Sequence, residues 1–372
     1  MTTNKQIELL SIKGYKSIQN LQHFKLNALN VLIGANGAGK SNFVSYFRMV
    51  DEMIEGRLQK WTSQQGSADR VVSFGVKETR KIESFIGVGN KNGYKFELEP
   101  TIDGGFTFAN ESLYYFATHK QPVDLGSGQK EAKLKAIKEI DSKINSVGIP
   151  NFCYSAIARW KVYHFHDTSD TAGVKRLCAV HDNEYLRPDA SNLAAFLYRL
   201  SKESPDVYDQ IRKTVQLAIP FFDDFALKPI KLETEEEQIR LLWRQKDSDY
   251  ALWPSQLSDG SIRFICLVTA LLQPEAPSTI IIDEPELGLH PYAITLLGAL
   301  LRSASKRMQV IVSTQSVPLV NEFSIDNLII VEREQGATVF KRYKENEFKA
   351  WLEEYSVGEL WEKNILGGRP RK

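Results

Sequence analysis

The sequence carries almost no surplus charge of either sign. Its 47 lysines and arginines nearly balance 46 aspartates and glutamates, for a formal net charge of +1. No global field draws such a chain to nucleic acid or to an acidic membrane, so any contact of that kind must be a local patch. Cysteine is scarce as well. Cys153, Cys178 and Cys266 are odd in number, far apart and without CxxC spacing. That argues against a disulfide frame or a zinc site and suits reduced thiols in a cytosolic protein. Long apolar runs are missing: the longest, Phe264 to Leu272, is too short to span a bilayer. The opening "MTTNKQIELLSIKGYKSI" alternates polar with apolar residues and has no signal-peptide core. A cytoplasmic chain with no membrane partner is expected.

What is present reads as α/β. "QIELLSIKGYKSI" alternates like a strand, and "ALNVLIGANGAGKSNFVSYFRMV" reads strand, glycine loop, helix. Between residues 70 and 116, the runs "RVVSFGVK", "ESFIGVGN", "GYKFELEP" and "GGFTF" suggest an antiparallel sheet. "SGQKEAKLKAIKEIDSKINS" sets Leu134, Ile137, Ile140 and Ile144 on one helical stripe. Residues 190–218 read as a helical pair broken near Pro205. After "QLSDGS" come a buried helix, the strand "STIIIDEP", a helix near 291–305, the strand "QVIVST" and the strand "NLIIVERE". That alternation marks a parallel sheet. The tail "GGRPRK" is expected to be disordered.

Two motifs carry chemistry. "GANGAGKS", Gly34 to Ser41, fills the P-loop pattern GxxxxGK[ST] and lies between an apolar strand and a helix, the context that gives the pattern its meaning. Gly34, Asn36, Gly37, Gly39 and Asn42 belong to the expected nucleotide-contacting set. Glycine lets backbone N–H groups turn toward phosphate at the positive end of the helix. Lys40 is expected at the β- and γ-phosphates of ATP, and the Ser41 hydroxyl on Mg²⁺. "STIIIDEPELGLHP" places Asp283 at the end of a buried strand, on the sheet edge where ligands bind in open α/β folds. Asp283 is assigned with Ser41 to the metal, and Glu284 to polarising the attacking water. A surface turn closing a strand is the plainer alternative. The P-loop upstream argues against it, because two adjacent buried carboxylates are costly without a cation or solvent.

The series "GANGAGKS", "LSDGS", "IIIDEPELGLHP" and "VIVSTQS" resembles the nucleotide-binding head of the ABC superfamily, which includes transporter subunits, SMC and RecF-like proteins. The resemblance implies a P-loop NTPase of ABC/SMC-head type: a mixed core sheet, an N-terminal antiparallel sheet and a helical signature subdomain. It implies that "LSDGS" is the signature, so that Ser258 and Gly260 cap the triphosphate held by a second copy and two heads dimerise around ATP. Lys16 in "GYKSI" is implied to touch the phosphates. Gln315 stands where many heads carry a switch histidine, and joins Glu284 and Lys40 as a catalytic candidate. The interval from Ser41 to Leu257, 216 positions, is about twice that of a transporter head. It favours the SMC/RecF-like branch and makes a transporter subunit the weaker alternative. "WKVYHFHDTS", "NEYLRPDASNLAAFLY" and "WLEEYSVGELWEKNILGGRP" resemble stand-alone bacterial ATPases, whose relatives often lie beside nucleases in antiphage defence operons. The implied function is an ATP-hydrolysing switch acting on DNA or on a partner effector such as a nuclease or toxin. The alternative is a scaffold that uses ATP only as glue. The expected division is 1–116 for an N-terminal ATPase lobe, 117–150 for a helical insertion and 151–262 for the signature subdomain. Residues 263–345 form the C-terminal ATPase lobe, and 346–372 a C-terminal helix and tail.

This chain departs from the common pattern at three places. Asp259 replaces a signature glycine and is expected to cap the helix and point away from phosphate. His290 stands where transporter heads carry an aspartate. Gln315 hydrogen-bonds but cannot titrate. No Q-loop glutamine is assignable. Weaker features are also open to two readings. "HFHD" sets His164 and His166 on one strand face, as a zinc pair or a plain strand. Arg187 is a phosphate contact or an exposed structural arginine. The lysines of 130–143 form a basic patch or a solvated face. Trp243 and Trp253 are expected to pack the subdomain, with base stacking the alternative.

Overall fold

A computed structural model describes residues 5–89, 91–117, 121–144, 148–231 and 236–368. β1 (Ile7–Tyr15) and β2 (Ile18–Lys25) form a hairpin whose tight turn holds Lys16 at a φ of 44°. β3 (Leu29–Ile33) runs into the glycine loop and α1 (Lys40–Ile54). β4 (Ile82–Val88), β5 (Asn92–Pro100), β6 (Phe106–Tyr115) and β7 (Val123–Gly126) extend the hairpin into an antiparallel sheet ordered β2-β1-β4-β5-β6-β7. β7 bonds to Glu111–Leu113, so a boundary at residue 116 cuts through this sheet. "RVVSFGVK" does not form the expected strand. Ala68–Val71 is a helical turn, Val72 makes one bridge to Tyr15, and Phe74 and Gly75 turn the chain at positive φ.

α2 (Leu134–Ile144) buries Leu134 fully and packs Ile137 partly, but leaves Ile140 61% exposed. The expected apolar stripe therefore covers only its first turns; the side chain of Ile144 lies outside the described residues. Lys130 and Lys135 pair with Asp103 and Glu55, which makes this a solvated, neutralised face. β8 (Trp160–Tyr163) follows. α3 (Leu193–Glu203) and α4 (Pro205–Ala218) are separated at Ser204 because Pro205 suits a first helical turn but cannot continue the preceding one. α5 (Asp259–Leu272), β9 (Thr279–Asp283), α6 (Pro291–Ala304), β10 (Gln309–Thr314), β11 (Leu328–Glu334) and β12 (Ala337–Lys341) complete the main elements.

The central sheet is ordered β12-β11-β3-β10-β9-β8 and is parallel except for β12. β8 is thus part of this sheet and does not belong with the signature subdomain in which the 151–262 division places it. Strand periodicity of two sends alternate residues to opposite faces. Val31, Ile33, Ile280, Ile282, Val310 and Val312 face a core shared with α3, α4, α5 and α6. Leu32, Ile281, Ile311 and Ile329 face a second core, formed by α1 and the antiparallel sheet. Buried on both sides, these strands read as continuous apolar runs. α1 is held inside the second core by Phe43, Phe47 and Met53, with Trp160 edge-on to Phe47 at 5.2 Å. Gln309 joins the two sheets: its amide donates to Ile7 O at 2.7 Å and Asn27 O at 3.0 Å, and accepts from Ile7 N and the Thr279 hydroxyl.

The tail is ordered where it meets the glycine loop. Gly368 O accepts from Ala35 N at 2.8 Å, and Gly368 N donates to Glu332 at 2.8 Å. Expected disorder is thus overturned for Gly367 and Gly368 by backbone bonding; residues 369–372 lie outside the described residues. Among the described residues no helix is long and apolar enough to cross a membrane.

Candidate functional site

Four parallel strands deliver side chains to one edge of the central sheet. β3 leads to Gly34–Ser41. β9 ends at Asp283, opposite Ser313 of β10, and Thr314 sits opposite Ile33. β8 ends level with Ile282, so His164 and His166 emerge beside the same edge. Register alone therefore brings together segments more than a hundred residues apart.

The glycine loop is built to keep its shape. Gly39 adopts a φ of 113°, and a Cβ there would overlap the Thr338 hydroxyl. Thr338 donates to Ala38 O at 2.8 Å and meets the Ser17 hydroxyl at 2.6 Å; Asn42 donates to the same Ser17 oxygen at 2.6 Å. Asn42 thus buttresses the loop from outside. Lys40 is 5% exposed and donates to Gly34 O at 2.8 Å and Ala35 O at 3.1 Å. Burial lowers its pKa, while the charges of Glu284, Asp283 and Glu286 oppose that shift. Asn36, Gly37 and Ser41 face solvent. The first turn of α1 carries no acid, so its positive end is uncompensated.

Lys16 lies one helical turn beyond Ser41. Its ammonium donates to Ser45 Oγ at 2.7 Å and Gln65 Oε1 at 3.3 Å. The expected phosphate contact is therefore not preformed. Arg48, missed by motif reading, falls on the same stripe of α1 at the 41/45/48 spacing. It is half-buried and feels the charge of Asp283.

Asp283 accepts a hydrogen bond from the Ser313 hydroxyl. Glu284 sits at a φ of 44°, with its N–H bonded to Ser313 O at 2.8 Å, and its carboxylate accepts from Gln315 Nε2. A left-handed glutamate costs about 1–2 kcal/mol, and such strain concentrates at functional sites. Glu286 was missed by sequence reading. It is 8% exposed and accepts from Thr314 Oγ1 at 2.6 Å and Gln315 N at 3.1 Å, while its other oxygen, Oε2, is buried and has no hydrogen-bond partner among the described residues. The signal was available in "DEPE": a second glutamate two residues past the first.

Burial raises the pKa of Glu286 above 4.5. The folded chain therefore binds this proton more tightly than the unfolded chain, and the group's contribution to stability is lost as pH rises through the folded value. Glutamine at this position does not titrate. Glu286→Gln is expected to gain in melting temperature relative to the parent as pH rises from about 5 to about 8. Thermal melts of both proteins at the two pH values check this, and a gap that is constant or closes would refute it.

On the signature side, Ser258 is the N-cap of α5, accepting from Ser261 N at 3.1 Å. Asp259 is not the cap. It lies in the first turn, and its carboxylate is drawn sideways to Lys175 at 3.7 Å. The cap is therefore Ser258 and not the expected Asp259, whose charge is shared with Lys175 in an ion pair. Gly260 lies against the loop after β9, where a Cβ would overlap Gly288 O. Among the described residues no hydrogen bond joins Ser258 or Gly260 to the glycine loop. His290 caps α6, its Nδ1 accepting from Tyr292 N at 3.3 Å.

The rings of His164 and His166 lie 4.6 Å apart, edge to face. Burial lowers the pKa of both, and the charge of Asp283 reaches both. Asp167 turns instead to Ser169. Among the described residues no group of three or more His, Cys, Asp or Glu could hold a metal. Arg187 is engaged by Asp182 at 2.7 Å. Trp243 is buried and donates to Trp253 O at 3.1 Å, but Trp253 itself is 51% exposed, with Arg240 stacked 4.3 Å from its ring.

Residues 156–321 match the family described as "AAA domain, putative AbiEii toxin, Type IV TA system". Comparison with curated protein sequences finds no match. Among solved structures, the chain is similar to an SMC head bound to the C-winged helix domain of ScpA, with a TM-score of 0.60 and 13% identity over 92% of this chain and 99% of that one. It is also similar to the Smc head domain with an extended coiled coil, bound to the C-terminal domain of ScpA derived from Pyrococcus furiosus. There the TM-score is 0.57 and the identity 16%, over 94% of this chain and 99% of that one.

Proposed function

From a chain with the α/β fold of an ABC/SMC-type ATPase head, we propose an ATP-binding and ATP-hydrolysing switch that closes as a dimer around nucleotide and acts on DNA or a partner effector. The observation that carries this reading is the parallel register. It sets the Lys40 loop, Asp283, Glu284 and Gln315 on one sheet edge, and leaves Ser258 at a helix start without a bond to that loop. In this reading the capping serine comes from a second copy.

Gly37, Gly39 and the start of α1 present N–H groups to the phosphates, and Asn36 and Asn42 flank them. Lys40 leaves its two loop carbonyls to bind the β- and γ-phosphate oxygens. Ser41, exposed at the start of α1, and Asp283, which already accepts from a hydroxyl, offer the hard oxygen donors that suit Mg²⁺. The cation, when bound, neutralises charge on the β- and γ-phosphate oxygens. Glu284 takes the proton of the attacking water, and Gln315 holds the carboxylate in place. Lys16 moves from Ser45 toward phosphate when nucleotide arrives. Gln315 cannot titrate, which favours slow turnover and lends some weight to the scaffold alternative; steady-state phosphate release separates the two. The family matched over residues 156–321 includes a putative toxin–antitoxin system, and both SMC heads were solved with a ScpA domain. Those descriptions support a partner protein and a defence role for this chain.

Ser258→Ala tests the seal. Light scattering with ATP should show the dimer population falling, and phosphate release should drop by about tenfold, while nucleotide binding to the single head is kept. Ser258→Asn keeps a helix cap and should behave alike. An unchanged ATP-linked dimer in both variants would overturn the trans assignment.

A further inference from the structure

Arg263 lies in the second turn of α5, four residues after Asp259, and is 9% exposed. Its guanidinium spends its donors on backbone alone. Nε donates to Phe165 O at 2.9 Å, Nη2 to His166 O at 3.3 Å, and Nη1 to Leu287 O. Among the described residues no carboxylate lies within ion-pair distance of it. The charge of Asp259, one helical turn back, still acts on it, and an apolar side chain of similar volume would leave the three carbonyls without these donors.

The three carbonyls belong to two loops that bracket the catalytic carboxylates. Phe165 and His166 follow β8, and the charges of Asp283 and Glu284 act on His166. Leu287 follows β9, and its own N–H donates to Glu284 O at 3.4 Å. Beside it, Gly288 and Gly260 are in backbone contact, which leaves no space for a side chain at Gly260. A continuous chain of contacts therefore runs from the Ser258 turn through Arg263 and Leu287 to Glu284.

We infer that Arg263 is a positioning residue that couples the signature turn of a head to the carboxylate loop of the same head. This rests on the reading above, in which Ser258 seals the partner's site and Glu284 serves its own. Seating the signature on one triphosphate is then transmitted to the second site, and the two sites hydrolyse cooperatively. Lysine keeps the charge, but its single ammonium cannot span three carbonyls set in a fork.

Arg263→Lys and Arg263→Met in the full chain test this. Melting temperature, binding of a fluorescent ATP analogue to the single head, and phosphate release against ATP concentration are measured for each. Both variants should bind nucleotide within about twofold of the parent, lose at least about tenfold in kcat, and show a Hill coefficient falling from about 2 toward 1. Parent-like kcat and Hill coefficient in either folded variant overturn the inference. So does loss of nucleotide binding together with turnover in both, which would make Arg263 a plain structural staple. If the parent itself neither dimerises with ATP nor releases phosphate, the proposed function fails first and the coupling falls with it.

Discussion

Glu284→Gln should slow phosphate release by about 10²–10⁴-fold, the usual contribution of a positioned general base. ATP binding should be nearly unchanged, because glutamine preserves the size of the side chain and still meets Gln315. The variant should therefore accumulate as an ATP-bound dimer, visible by light scattering and lost on adding Mg²⁺ chelator. The argument comes from the left-handed Glu284 backbone, held by its N–H bond to Ser313 O and by the side-chain contact with Gln315. Such a conformation places the carboxylate beyond the strand end instead of along it. A variant that hydrolyses normally and never accumulates as a dimer would remove Glu284 from the chemistry.

Lys40→Ala should abolish the ATP response at its first step. Lys40 is buried, bonded among the described residues to Gly34 O and Ala35 O, and acted on by the charges of Glu284, Asp283 and Glu286. Removing it deletes a charge-assisted contact to phosphate worth about 1.5–3 kcal/mol and leaves three acids facing an anionic ligand. Triphosphate affinity should fall by about 10- to 150-fold, read by titration of a fluorescent ATP analogue. The protein should remain folded, since among the described residues the ammonium has no ion pair to lose. Unchanged affinity for ATP would mean that this loop does not hold the triphosphate.

A captured partner would sharpen the biological role. The same Glu284→Gln protein, closed on ATP, is the form to present to DNA and to candidate effector proteins.

Much of the candidate site was legible because its parts are contiguous. Gly34–Ser41 is one stretch of chain whose glycines, lysine and hydroxyl follow each other at fixed spacing. Asp283 and Glu284 end an unbroken apolar run, so the strand and its carboxylates announce one another. The parallel half of the fold followed from the same runs, which alternate with helices. Readings failed where local pattern had no tertiary support. "RVVSFGVK" is apolar enough for a strand, yet it spends Val71 and Val72 on burial beside a turn. Ile140 continues a helical period past the point where there is a core to meet.

By itself, then, the sequence determined the glycine loop, the strand that carries the acids and the helix that Ser258 caps. Each of these is written in neighbouring residues under one secondary-structure period. Tertiary structure alone decided that Glu286 braces Gln315, that Thr338 and Gly368 close on the glycine loop, and that Arg263 reaches the carbonyls of residues 165, 166 and 287. Each of those contacts has a backbone group on at least one side and joins residues far apart along the chain. A carbonyl is the same in every residue, so no spacing of side chains could have announced them.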